Sequence, residues 1–288
     1  MVYSLILTAI TLTALIVATI TDLKTREVPD WLSYGLISIG LGLNLLFSII
    51  YQNYWFFLNS LIGFLLFLII ALIMFYSGQW GGGDSKVLMG LGALVGLDIR
   101  FTKFPFLINF FVNILLVGAI YGILWSFTLI LKNWKGFTKE FLKVSHNKIS
   151  IKLRVYIIVF VVLMFILYFT SNSVFGYLFL AIALLVLITF YLWMAVKAVE
   201  KTCMIKAIPP TKLTEGDWIV NDIKYKGKYI CGPKDLGISK KQIRELLKLY
   251  KQKKINTVLI KEGIPFVPSF LIAYIITLFI GNILFLLI

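Results

Sequence analysis

Six stretches without one charged residue make up most of this chain: residues 1–21, 31–83, 87–97, 104–131, 155–196 and 263–288. A crossing of a bilayer needs about 20 apolar residues. The 31–83 stretch therefore holds two helices, split near Gln52, Asn53 and Tyr54, and the 155–196 stretch two more, split at Ser171, Asn172 and Ser173. That gives eight candidate crossings. The weakest follows Lys86, because eleven uncharged residues rising ~1.5 Å each reach only about half of the hydrocarbon core. Composition agrees: 60% of residues are hydrophobic and 14% charged, against about 25% charged in soluble domains. The expected fold class is an all-α polytopic membrane protein with about eight transmembrane helices and a small cytoplasmic α+β insert. No basic residue precedes the first segment and no small-residue cleavage site follows it, so it reads as a retained helix rather than a signal peptide.

Basic residues in loops stay on the cytoplasmic side. Lys24 and Arg26 follow helix 1, Lys86 precedes the short helix, seven Lys+Arg fall in 132–154 and sixteen in 197–262. Alternation of the crossings puts all of these inside. Only Arg100 and Lys103 fall in an outer loop, and both chain ends are expected outside. The formal charge of +15 is thus topological bias plus contact with anionic membrane lipids, and nothing resembles a nucleic-acid-binding module.

The expected divisions are a membrane core at 1–131 (helices 1–5), a basic cytoplasmic loop at 132–154, helices 6 and 7 at 155–196, an α+β insert at 197–262 and a C-terminal transmembrane helix at 263–288. Within the insert, Lys224, Lys226 and Lys228 alternate with Ile223 and Tyr225, the period of one half-buried strand over 223–229. Ser239 with Gln242 forms a capping-box signature ahead of Ile243, Leu246, Leu247 and Tyr250 on one helical face. Residues 257–260 fit a second strand. No internal repeat is present.

Thirteen acidic residues offer few candidates for chemistry. Asp22 directly follows the first apolar stretch, and Asp84 sits between Gly81-Gly82-Gly83 and the short helix, so the topology puts both on the cytoplasmic face. Ionisable groups at membrane depth are costly and usually functional. Two carboxylates close together cannot both ionise freely and share one proton. One then activates water while the other protonates a carbonyl oxygen. For Asp22 alone, a plain topological charge is the competing reading. Cys203 and Cys231 with the distant His146 do not make a metal site, and no cofactor is expected. For a serine triad, nothing in the sequence brings His146, in a basic loop, near a candidate serine, and Ser85 and Lys86, adjacent on a helix, do not face each other. Lys86 is either an interfacial anchor or a cation acting on a nearby aspartate.

The Gly81-Gly82-Gly83-Asp84-Ser85-Lys86 segment, running on through Val87 to Ala93, resembles the G-x-G-D-x-K element of type IV prepilin peptidases, which are membrane GxGD aspartyl proteases. Asp22 to Trp31 resembles the same family's first aspartate element, in which an Asp precedes an [IV]-P-[ND] run. The resemblance covers about residues 1–130. It implies that Asp22 and Asp84 are the catalytic pair, that Gly81, Gly83 and Lys86 support them, and that short leaders are removed from prepilin or preflagellin (archaellin) precursors at the cytoplasmic membrane face. The cysteine pairs of bacterial members are absent, which points to the archaeal branch, and Gly263 to Pro268 is similar to the C-terminal part of some archaeal members. Two rival readings are a presenilin-like intramembrane protease, whose tyrosine-aspartate pair Thr21-Asp22 does not match, and a proton-coupled membrane transporter, whose ionisable groups would lie near the bilayer midplane.

Overall fold

A computed structural model describes residues 2–100 and 104–286; Lys103, one of the two outer basic residues above, lies outside them, as do Met1 and residues 287–288. The helices are α1 (Val2–Thr25), α2 (Asp30–Ile50), α3 (Trp55–Tyr76), α4 (Gly82–Val95), α5 (Phe106–Lys132), α6 (Trp134–Ser145), α7 (Lys148–Thr170), α8 (Ser173–Val199), α9 (Lys240–Lys251) and α10 (Val267–Phe279). Six of them, α1, α2, α3, α5, α7 and α8, are long and apolar enough to cross a membrane. The chain is a multi-pass, mainly helical membrane protein with a small sheet-bearing insert.

The other two expected crossings are short. α4 has 14 residues and α10 has 13, about 20 Å each against a hydrocarbon core of ~30 Å. Helix α4 is surrounded by protein, so it need not match the bilayer. Ser85 Oγ reaches the Ala71 carbonyl at 3.4 Å and Ser60 Oγ the Ala93 carbonyl at 2.5 Å, which lays α4 antiparallel along α3. Gly96 ends it with φ +70°, and the next amide, that of Leu97, donates to the Asn59 carbonyl at 2.8 Å. Small residues let the backbones approach: Gly92 lies on Gly63, Gly90 on Leu36 and Gly40 on Ala93.

One apolar core joins α1–α5 with α10, through Leu15, Leu36, Phe67, Leu88, Phe110 and Phe270 among others. Asn113 fastens the end of the chain to α5. Its Nδ2 donates to Thr277 Oγ1 (2.9 Å) and to the Gly281 carbonyl (2.6 Å), and its Oδ1 accepts from the Ile283 amide (3.0 Å). Helices α7 and α8 pack on each other outside this core.

The 132–154 segment, expected as a basic loop, contains α6 and the start of α7. Phe137, Phe141 and Val144 recur at helical spacing, and the latter two pack with Phe190 and Met194 of α8, while Lys135, Lys139 and Lys143 stand on another face.

In the insert, β1 (Ile205–Ile208), β5 (Val258–Lys261) and β2 (Trp218–Ile219) form an antiparallel sheet in the order β1-β5-β2. The single strand expected at 223–229 is instead a hairpin of β3 (Ile223–Tyr225) and β4 (Lys228–Cys231). Lys226 and Gly227, at φ +50° and +78°, make the tight two-residue turn that suits such a pair. The lysine alternation ran straight through that turn and concealed it. Helix α9 begins as expected, the Ser239 amide donating to Gln242 Oε1 at 2.8 Å and Ser239 Oγ accepting from the Gln242 amide at 3.4 Å. Its buried face is Leu246 and Leu249, with Ile243 at the edge.

Cys231 lies in the insert core, where burial, and then the Asp235 charge, push its thiol up to about 11. Since the thiolate is the nucleophile, Cys231 stays protonated and shielded below that pH. Cys203 is half-buried. A maleimide at pH 7.5 should therefore add once to the folded protein, at Cys203, and twice after denaturation. Two adducts on the folded chain, read by intact mass, would show that the insert core is open.

Candidate active site

Asp22 stands one turn before the end of α1 and is 5% exposed. Beyond it Arg26 takes φ +61°, its amide donating to the Asp22 carbonyl at 2.9 Å, and Val28 and Pro29 lead into α2. The Asp22 carboxylate accepts a hydrogen bond from the amide of Val267, Oδ2 to N 3.0 Å. Val267 is the first residue of α10, so the helix presents an otherwise unpaired amide and the positive end of its dipole. Arg26 makes a second tie, Nη1 to the Gly263 carbonyl at 2.6 Å, with its guanidinium 5.3 Å from the Trp125 ring centre.

Asp84 is the third residue of α4. Its Oδ2 accepts from the Gly81 amide at 3.1 Å, turning the half-buried carboxylate back over the glycine loop. A side chain at Gly83 would stand at ordinary contact distance from Val28, so the two aspartate motifs run beside each other. Asp22 and Asp84 are near enough for the charge of one to act on the other. Trp80, just before the glycines, is buried with its ring 5.7 Å from Phe266 and 5.4 Å from Phe270. The loop between α3 and α4 is thereby seated on the start of α10.

Lys86 goes elsewhere. Its Nζ pairs with Asp30 Oδ1 at 2.5 Å and lies 5.3 Å from the Tyr34 ring centre, pinning α4 to the start of α2. The aspartate it acts on is Asp30. Changing Lys86 to Gln should leave any pH profile set by Asp22 and Asp84 in place and lower stability by about 0–1 kcal/mol, the range of an exposed pair. A displaced alkaline limb in the rate profile would put the ammonium at the dyad instead.

Four contributors were not singled out individually from sequence. The Val267 amide and the Phe266 ring belong to the Gly263–Pro268 stretch, whose two prolines mark a fixed entry into a helix but not its partner. The Tyr121 hydroxyl of α5 is buried without a hydrogen-bond partner among the described residues and lies within electrostatic reach of Asp22 and Arg26; a lone tyrosine in an apolar run gives no such signal. Trp218 of the insert lies on Gly78, which has φ +70°, so the sheet leans on the loop that carries Asp84. Next to it, burial holds the Asp217 carboxyl above the usual range, the Thr214 amide opposing and the charges of Glu27 and Glu262 adding to it. Two clefts, one lined by Trp193 and Lys197 and the other by Tyr3 and Asn59, both lie away from the two aspartates.

Residues 9–134, which include both aspartate motifs, match the type IV leader peptidase family. Three preflagellin peptidases of methanogens are similar to part of the chain. That of Methanococcus voltae is 40% identical over 87 residues, 30% of this chain and 37% of the relative. The Methanocaldococcus jannaschii protein is 38% identical over 81 residues (28% and 34%), and the Methanococcus maripaludis protein 41% over 81 residues (28% and 35%). The matched part spans about a third of the length of these curated relatives.

Proposed function

We propose that the chain is a membrane aspartyl endopeptidase that removes short leaders from preflagellin (archaellin) or type IV prepilin-like precursors. The observation that carries this reading is the convergence of Asp22 and Asp84 from two motifs 62 positions apart in sequence, each carboxylate aimed by a backbone amide. With one proton on the pair, the ionised carboxyl takes a proton from water as the oxygen attacks the scissile carbonyl carbon. The protonated carboxyl gives its proton to the carbonyl oxygen. Collapse of the tetrahedral species then breaks the C–N bond, and the leaving amine takes up a proton from the dyad.

The glycines serve this arrangement by keeping the backbone close. Gly81 supplies the amide that holds Asp84, and Gly83 lies beside Val28 of the other aspartate motif. In this reading residues 1–131 form the reaction core and 263–288 closes it. Residues 132–196, which carry α6, α7 and most of α8, and the insert (197–262) are peripheral.

The concentration of lysines in 132–154 and 197–262 supports a cytoplasmic site with both termini outside. An impermeant thiol reagent should reach Cys203 in inside-out vesicles and not in intact cells. Labelling from outside would reverse the topology and remove the site from the compartment where leaders are made. The activity itself is tested by incubating the solubilised protein with a preflagellin precursor and following the loss of the leader by electrophoresis. An unshortened precursor under conditions in which a methanogen preflagellin peptidase cleaves it would overturn the assignment.

A further inference from the structure

A cleft of about 350 Å³ opens between the start of α7 and the end of α8, apart from the aspartates. Asn147 caps α7 without a side-chain hydrogen bond, so the first amides of the helix are free to face an anion. Ser150, in that first turn, is 1% exposed and lines the cleft. Its hydroxyl bonds to no other group among the described residues. A hydroxyl on a buried residue that opens only to a cleft, with no protein partner, is placed to bond whatever fills that cleft.

Across the cleft stand Lys197 and Lys201. The Lys197 ammonium lies 4.4 Å from the Trp193 ring centre and has no ion-pair partner among the described residues. The one carboxylate in the lining, Glu200, is occupied by Lys261 at 2.7 Å, and Lys201 by Glu140 at 3.1 Å. Positive charge is left in excess. The cleft also lies where headgroups belong. Lys148 opens one apolar helix and Lys197 sits in the last turn of the next, while Ile149, Ile151 and Leu153 are exposed from the first turns of α7 onward, an apolar surface beside the cleft.

We propose that this cleft binds the phosphate of an anionic lipid headgroup, with Ser150 and the first amides of α7 as donors and Lys197 as the counter-charge. Free phosphate shares the chemistry and lacks the chains that Ile149 and Ile151 would meet.

The test uses the full chain in phosphatidylcholine nanodiscs, titrated with a short-chain phosphatidate, with inorganic phosphate, or with short-chain phosphatidylcholine, and thermal unfolding is followed. Phosphatidate should raise the unfolding temperature saturably. Its half-saturating concentration should rise roughly fivefold in Lys197→Gln, as for loss of one basic group at a membrane surface, and about tenfold or more in Ser150→Asp, which puts a carboxylate where the phosphate would sit. Each variant's unfolding without ligand shows that it is folded, and either alone decides. Inorganic phosphate that acts equally at equal concentration supports the anion site and names free phosphate as its source; a weaker effect names the lipid. Half-saturation unchanged in the folded variants, or an equal response to phosphatidylcholine, overturns the proposal.

Discussion

Replacing Asp22 or Asp84 by Asn should abolish leader removal while leaving the protein folded. In each case the amide oxygen of Asn can still accept the backbone hydrogen bond, from Val267 at position 22 and from Gly81 at position 84, so the two motifs keep their anchors. What is lost is the exchangeable proton. General acid-base groups are worth about 10² to 10⁴ in rate, and members of one catalytic unit do not add. The double variant should therefore be about as inactive as either single one. Either single variant retaining more than about a hundredth of kcat/KM, with unfolding unchanged, would remove that residue from the chemistry.

The second large effect is structural and is expected at Gly63 and Gly92. A Cβ on Gly92 would meet the Gly63 carbonyl and come within 2.8 Å of Phe67 Cβ; one on Gly63 would meet the Gly92 carbonyl and lie 2.8 Å from Gly96 Cα. The obstacles are mostly backbone, which cannot rotate away as a flexible side chain can. Overpacking of a tight core costs about 1–3 kcal/mol and sometimes more, so Val at either position should lower stability by at least that, and activity with it, since α4 carries Asp84. Gly42 and Gly122 have nothing within 4 Å of a new Cβ and lie inside α2 and α5. Ala there should be neutral or stabilising by about 0.5–1 kcal/mol. If all four variants unfold alike, the close approach of α3 and α4 is not what holds them.

The membrane class was legible in the sequence, and Asp22 and Asp84 stood out as candidates, because these signals are local. An apolar run states its own length, and each aspartate has its glycines or its Val-Pro beside it. Even the shortness of α4 was visible in the eleven uncharged residues after Lys86. What was hidden depends on partners. Lys86 shows its charge in the sequence but not that Asp30, from another element, would claim it. The amphipathic α6 was obscured because its lysines are dense enough to look like a loop, although Phe137 and Phe141 kept the helical period. In the insert, the turn at Lys226-Gly227 fell inside an alternation that continued on both sides of it. Least legible of all was the bond from Val267 to Asp22, since nothing in either segment names the other across 245 positions.

That separation carries timing with it. A ribosome has finished both aspartate motifs by residue 84, yet the amide that holds Asp22 is added 183 residues later, at Val267. At about 5–20 residues per second the interval is roughly 10–40 s, during which α1 to α4 can enter the membrane and pack while Asp22 lacks that anchor. A half-made chain stalled anywhere before α10 would carry both aspartates without that brace, which forms only when α10 docks between α1 and α5.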